Sequence, residues 1–101
     1  MARAYFMDQL LALLAAEAAT ELVIQAGSPP VIVTRGVRRC LQGPPINDEE
    51  VVRLLRGLAG SRHMRELHER GAVQFLHALP DRSAFIVRAA LDGEKLVFGI
   101  S

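Results

Sequence analysis

A single cysteine, a single lysine, no tryptophan and only five aromatic residues set the first limits on this 101-residue chain. Cys40, alone, excludes an internal disulfide and fits a reducing cytoplasm. With no histidine or second cysteine close to it in sequence, it reads as a small strand residue rather than a reactive thiol. Scarce aromatics leave little on which nucleic-acid bases would stack. A membrane span needs about 20 apolar residues, and none is present. The Leu-rich stretch near the N-terminus is interrupted by Asp8 and Gln9 and closed by Glu17, so it only faintly imitates a signal peptide.

Catalytic signatures are equally scarce. The eight glycines form neither GxxxxGK[ST] nor GxGxxG, and no serine sits in GxSxG. His63 and His68 are five apart on one short predicted helix, which puts them on different faces. HMRELHE contains no HExxH, so these read as solvated helix histidines. His77 lies in an alternating strand and reads as a strand-face residue. No catalytic residue, metal ligand or cofactor-binding residue is expected.

What the chain does have is apolar material. Half of its residues are hydrophobic, enough for one core, and the length fits a single domain over residues 1–101. The net charge of +1 makes no electrostatic claim on nucleic acid or on a membrane surface. Residues 35–70 carry eight arginines against five acids, but Arg53, Arg56, Arg62 and Arg65 are interleaved with Glu49, Glu50, Glu66 and Glu69. That is the pattern of a wet helix face, and neither nucleic-acid binding nor membrane insertion is expected.

Phe6, Leu10, Leu13 and Leu14 recur at helical spacing and predict an amphipathic helix over 4–18. Leu22 and Ile24 then alternate with Glu21, Val23 and Gln25, the period of a strand. Gly27-Ser28-Pro29-Pro30 ends it, because two prolines supply no ladder donors and fix φ. Val31–Thr34 is a second strand, Gly36 a break and Val37–Leu41 a third strand. After the second rigid corner, Gly43-Pro44-Pro45, Asn47 caps a helix with Glu50 three residues on. Gly60 stops that helix, Ser61 caps another, and Gly71 ends it. Strands follow at Val73–Leu79, Ala84–Leu91 and Leu96–Ile100, with turns at Pro80-Asp81 and Asp92-Gly93. The order α-β-β-β-α-α-β-β-β predicts an α+β fold with a largely antiparallel sheet of about six strands and helices packed on one face.

The stretch T-E-L-V-I-Q-A-G-S-P-P after a helix resembles the N-terminal domain of PilT-type pilus-retraction and type II/IV secretion ATPases, which carries S-D-L-H-L-x-x-G-x-P-P. The resemblance runs through residues 6–100. Gly36 takes the place of that family's glycine after the second strand. Pro44-Pro45-Ile46 resembles its P-P-L before the helix start at Asn47–Glu50. Gly71–Phe75 through Pro80 resembles G-E-x-D-F-S-Y-x-L-P, and Phe85-Ile86-Val87 resembles part of R-F-R-V-N. The resemblance implies a PAS-like domain that precedes a RecA-like ATPase domain, packs on a neighbouring subunit of a hexameric ring and helps close over nucleotide.

Core positions of that pattern are kept here at Leu22, Ile24, Phe75, Phe85 and Val87. Its polar positions are replaced: a histidine by Val23, an arginine by Val33, the acids of G-E-x-D-F by Ala72 and Gln74, two arginines by Ala84 and Ile86, and an asparagine by Arg88. The expected function is a non-catalytic protein-interaction module of pilus, secretion or motility machinery. Its interface candidates are Val23, Val33, Ala84, Ile86 and Arg88, on the sheet face away from the helices. They would serve a machinery partner or a dimer of this chain. The alternative is the N-terminal subdomain of a PilT-like motor, since the sequence stops about where the family's linker into the ATPase begins. A small-molecule sensor would need convergent polar groups in a pocket, and the strands hold few. With no phosphate loop, calorimetry with ATP and magnesium at millimolar concentration is expected to show no saturable heat. A micromolar dissociation constant would contradict the reading.

Overall fold

In the computed structural model, which describes residues 5–80 and 83–101, three helices cover one face of a six-stranded sheet. The elements are α1 (Met7–Ala16), β1 (Glu21–Gln25), β2 (Val31–Thr34), β3 (Val37–Cys40), α2 (Asp48–Arg56), α3 (Ser61–Arg70), β4 (Ala72–Ala78), β5 (Ala84–Asp92) and β6 (Lys95–Ile100). The sheet order is β3-β2-β1-β6-β5-β4, and every pairing is antiparallel. The sheet is therefore two three-stranded meanders joined where β1 meets β6. This is the α+β architecture and element order expected from the sequence.

Alternation decides what is buried. One row across the sheet runs Arg39, Ile32, Leu22, Ile100, Val87, Phe75. It faces the helices, where Leu22, Ile24, Val87, Phe98 and Ile100 meet Leu10, Leu11 and Leu14 of α1, Val51, Leu54 and Leu55 of α2 and Leu67 of α3. Side chains this deeply buried each contribute roughly 1.5–3 kcal/mol. α1 is shorter than the predicted 4–18 (Ala4 lies outside the described residues), and its buried stripe is Leu10, Leu11 and Leu14. Leu13 is half-buried and Phe6 stands out of the core. The extended Phe6 precedes the first helical turn, so it falls off the helical period.

Asn47 caps α2 as expected, its side-chain oxygen accepting from the Glu50 amide at 2.8 Å. That helix ends at Gly57 rather than Gly60. Gly60, extended at φ −79°, is the N-cap of α3, and Ser61 is already helical. At the other end Gly71 takes the left-handed conformation, φ 79°, which glycine adopts without a Cβ penalty. The last hairpin turns through Gly93-Glu94, one residue later than predicted, with Asp92 paired to Lys95. Only the first loop residue, Gly93 at φ 67°, has a positive φ, the requirement of a type II′ turn. Pro80-Asp81 was the other predicted turn; Asp81 lies outside the described residues.

The two proline corners dock together. Gly27 N–H donates to the Ile46 carbonyl at 2.9 Å and Ile46 N–H to the Ser28 carbonyl at 3.0 Å, with Ile46 buried between them. Tyr5 closes over the second corner: its hydroxyl donates to the Pro44 carbonyl at 2.6 Å, and Arg53 donates to the Tyr5 carbonyl at 3.0 Å. Burial raises the Tyr5 pKa, and the Glu50 carboxylate raises it further. Of the corner prolines Pro30 is fully buried, Pro29 is half-buried, and Pro44 and Pro45 are exposed. Leu22→Ala is expected to cost about 2–5 kcal/mol, whereas Pro29→Ala, at the half-buried corner residue, costs about 0.4–1 kcal/mol. Urea denaturation that ranks the two the other way round would mean that Leu22 is not part of the core.

Candidate interaction face

The face of the sheet opposite the helices is built from the other parity. Its central row runs Cys40, Val31, Val23, Gly99, Arg88, Gln74. The adjacent row carries Val33 beside Glu21 and, on the far side, Ile86 beside Leu76. Between these pairs lies Ser101, which exchanges main-chain hydrogen bonds with Ile86 at 2.8 and 2.9 Å. Ala84 closes the end of β5 against Ala78. All five sequence-derived candidates thus share one face, but not one patch. Val23, Val33 and Ile86 are half-buried, and Ala84 and Arg88 are exposed. Val23 and Arg88 line a common concavity; Val33 is separated from Ile86 by Glu21 and Ser101.

That concavity is a groove of about 600 Å³. Val23, Val97, Ala90, Ala72 and Gly99 supply apolar surface, while Glu21, Arg88, Gln74, Glu66 and Arg70 supply the polar groups. Arg88 Nε donates to the Gln74 side-chain oxygen at 3.3 Å, and Arg70 pairs with Glu66 at 3.7 Å. Sequence reasoning saw few polar residues in the strands and missed this convergence. The available signal was Gly99, since a glycine inside a strand marks close approach by another group. A Cβ built there would lie 3.3 Å from Glu21 Oε2, so the Glu21 carboxylate folds over the glycine.

The histidines differ from expectation at one position. His63 is half-buried rather than fully solvated: its ring stacks on Phe75, with centroids 4.2 Å apart and planes within 8°, and its Nδ1 is buried without a partner. His68 is exposed and His77 half-buried. Among the described residues no group of three or more His, Cys, Asp or Glu side chains is placed to hold a metal ion, and no helix is long and apolar enough to cross a membrane.

Neither the protein-family models nor the curated proteins contain a match to this chain. Solved structures do match. The chain superposes on the pilus retraction motor PilT, in a crystal structure with bound ADP, with a TM-score of 0.84 at 17% identity, covering 97% of this chain and 29% of PilT. It superposes on the ATPase DotB of Legionella pneumophila with a TM-score of 0.78 at 17% identity, over 99% of this chain and 30% of DotB. For DotB of Yersinia pseudotuberculosis the TM-score is 0.70 at 18% identity, with the same coverage. The expected resemblance therefore holds at the level of the fold, and the chain spans just under a third of the length of the ATPases it matches.

Glu21 is half-exposed and its carboxylate is free to swing away from Gly99. Gly99→Ala is accordingly expected to raise stability by about 0.5–1 kcal/mol, the usual gain on replacing glycine inside a strand. A loss in a thermal melt would show instead that the Glu21 side chain is fixed over the groove.

Proposed function

We propose that this chain is a non-catalytic protein-interaction module of pilus, secretion or motility machinery, working in the cytoplasm as a single domain over residues 1–101. Its partner docks on the helix-free sheet face through Val23, Val33, Ala84, Ile86 and Arg88. The observation that carries this reading is the contrast between the two faces. The helix-side positions that match the PilT-type pattern, Leu22, Phe75 and Val87, are buried. On the opposite face, where the sequence departs from that pattern, Val23, Val33 and Ile86 remain partly open to solvent. Apolar surface left on a sheet face and rimmed by polar groups is the usual composition of a protein-binding surface. No cofactor, nucleic acid or membrane insertion enters this function.

A second reading has an observation of its own. Coverage of only 29–30% of PilT and DotB suits the N-terminal part of a longer motor ATPase. Continuation of the reading frame into a phosphate-loop sequence would favour it over the free-standing module. The surface itself is tested by Ile86→Glu. The variant is expected to keep its melting temperature within a few degrees while losing association with purified pilus or secretion components. Unfolding of the variant would place Ile86 in an internal contact and remove the face from consideration.

A further inference from the structure

Glu21 and Arg88 line one groove without pairing with each other. Arg88 donates from Nε to Gln74, which leaves the two NH2 groups of its guanidinium unengaged, and among the described residues no carboxylate pairs with it. The Glu21 carboxylate, folded over Gly99, likewise makes neither an ion pair nor a hydrogen bond among the described residues. Water solvates both charges while the groove is open. Any surface that covers the groove strips that water away, and a charge left unpaired there is costly. An occupant therefore has to bring one acid and one base.

The register fixes where the two charges stand. Val23, Gly99 and Arg88 lie in one row across β1, β6 and β5. Glu21 is two residues from Val23 on β1, and Ile86 is two residues from Arg88 on β5, level with Ser101. These four side chains mark the corners of a rectangle of about 10 by 7 Å, two strand spacings by two residues, centred on β6 between Gly99 and Ser101. Charge occupies one diagonal, from Glu21 to Arg88. The other, from Val23 to Ile86, is apolar, and Leu76 beside Ile86 is 68% exposed. The centre is low, because Gly99 carries no side chain.

We propose that a second copy of this chain covers the groove face to face, about a two-fold axis along the Val23–Ile86 diagonal; the inference rests on the helix-free face being the docking surface. Turning the molecule over about that line brings Val23 and Ile86 each near its own counterpart. It sets Glu21 against Arg88 of the second copy and Arg88 against Glu21, so one complementary pair is made twice. A foreign partner needs an acid and a base at this one spacing, whereas a second copy carries both. An axis along the charged diagonal would instead lay Glu21 on Glu21 and Arg88 on Arg88, and repulsion excludes it. The strands of the two copies cross steeply, in the orthogonal class of sheet packing. Val33, outward of Glu21 on β2, comes down on the apolar floor at Val97 and Ala90. Gly99 at the centre lets the main chains approach. Self-association and the docking of a machinery component then exclude each other.

Sedimentation velocity from micromolar to millimolar concentration is expected to show reversible conversion of monomer to dimer. Glu21→Arg and Arg88→Glu each set like charges against one another at both contacts, and each variant alone is expected to stay folded and monomeric. Their equimolar mixture dimerises, because every acid again meets a base. Should either variant fail to fold, the unaltered chain decides. Methyl signals of Val23 and Ile86 then shift between dilute and concentrated samples, while those of Val37, exposed on the β3 edge, do not. A chain that stays monomeric throughout, a dimer that survives either single reversal, a mixture that remains monomeric, or methyl signals that never move would each overturn the second copy. If such a result accompanies a folded Ile86→Glu that has lost its association with machinery components, the docking face stands and only this occupant is wrong. If Ile86→Glu unfolds, the face and the dimer fail together.

Discussion

Everything in this fold hangs on one seam, the pairing of β1 with β6. The first meander (β1–β3) and the second (β4–β6) are each held by local hairpins, but Leu22↔Ile100 and Ile24↔Phe98 join residues more than seventy positions apart. Loop closure over that distance costs entropy that only burial repays. Leu22, Ile24, Phe98 and Ile100 are all buried on the helix side. The seam carries the least tolerance for polar substitution because its apolar row is shared by both meanders and lies under α2. On the reverse side the same strands place Val23 beside Gly99, so the geometry that seals the core also forms part of the open groove.

Much of this was legible in the sequence because it is written in local chemistry. The strict alternation around Leu22 and Ile24 fixes β1 and its inward face, Asn47 with Glu50 fixes the start of α2, and Gly71 fixes the end of α3. The misplacements have local causes as well. Gly60 and Ser61 are both acceptable caps, and the backbone chose the glycine. Asp92-Gly93 and Gly93-Glu94 both satisfy a two-residue turn; the choice fell to the cross-strand pairing that puts Ala89 opposite Phe98. Pattern placed His63 on a helix but had no means of stacking it on Phe75, a contact between elements.

The candidate face was legible only in part. Parity alone assigns Val23, Val33, Ala84 and Ile86 to one side, and the register agrees. Lateral placement depends on strand order, which period-two alternation does not encode. Hence Glu21 between Val33 and Ile86, and the approach of Glu66 and Arg70 to Gln74 and Arg88, emerge only in three dimensions. Which strand ends the sheet is likewise invisible in sequence, although the uncharged run from Ala72 to Ala78 is plain to read.

Tyr5 has a consequence for how this molecule is observed. It is the sole tyrosine in a chain without tryptophan, so nearly all of the intrinsic ultraviolet emission arises from one phenol. That phenol is buried, donates to the Pro44 carbonyl and lies over the paired proline corners. Its fluorescence and its ionisation spectrum consequently report on one locality, the closure of the N-terminal segment over the second corner. They are nearly blind to the β4 edge and to the groove. A change in tyrosine emission without loss of far-ultraviolet ellipticity therefore marks the opening of that strap in an otherwise intact sheet.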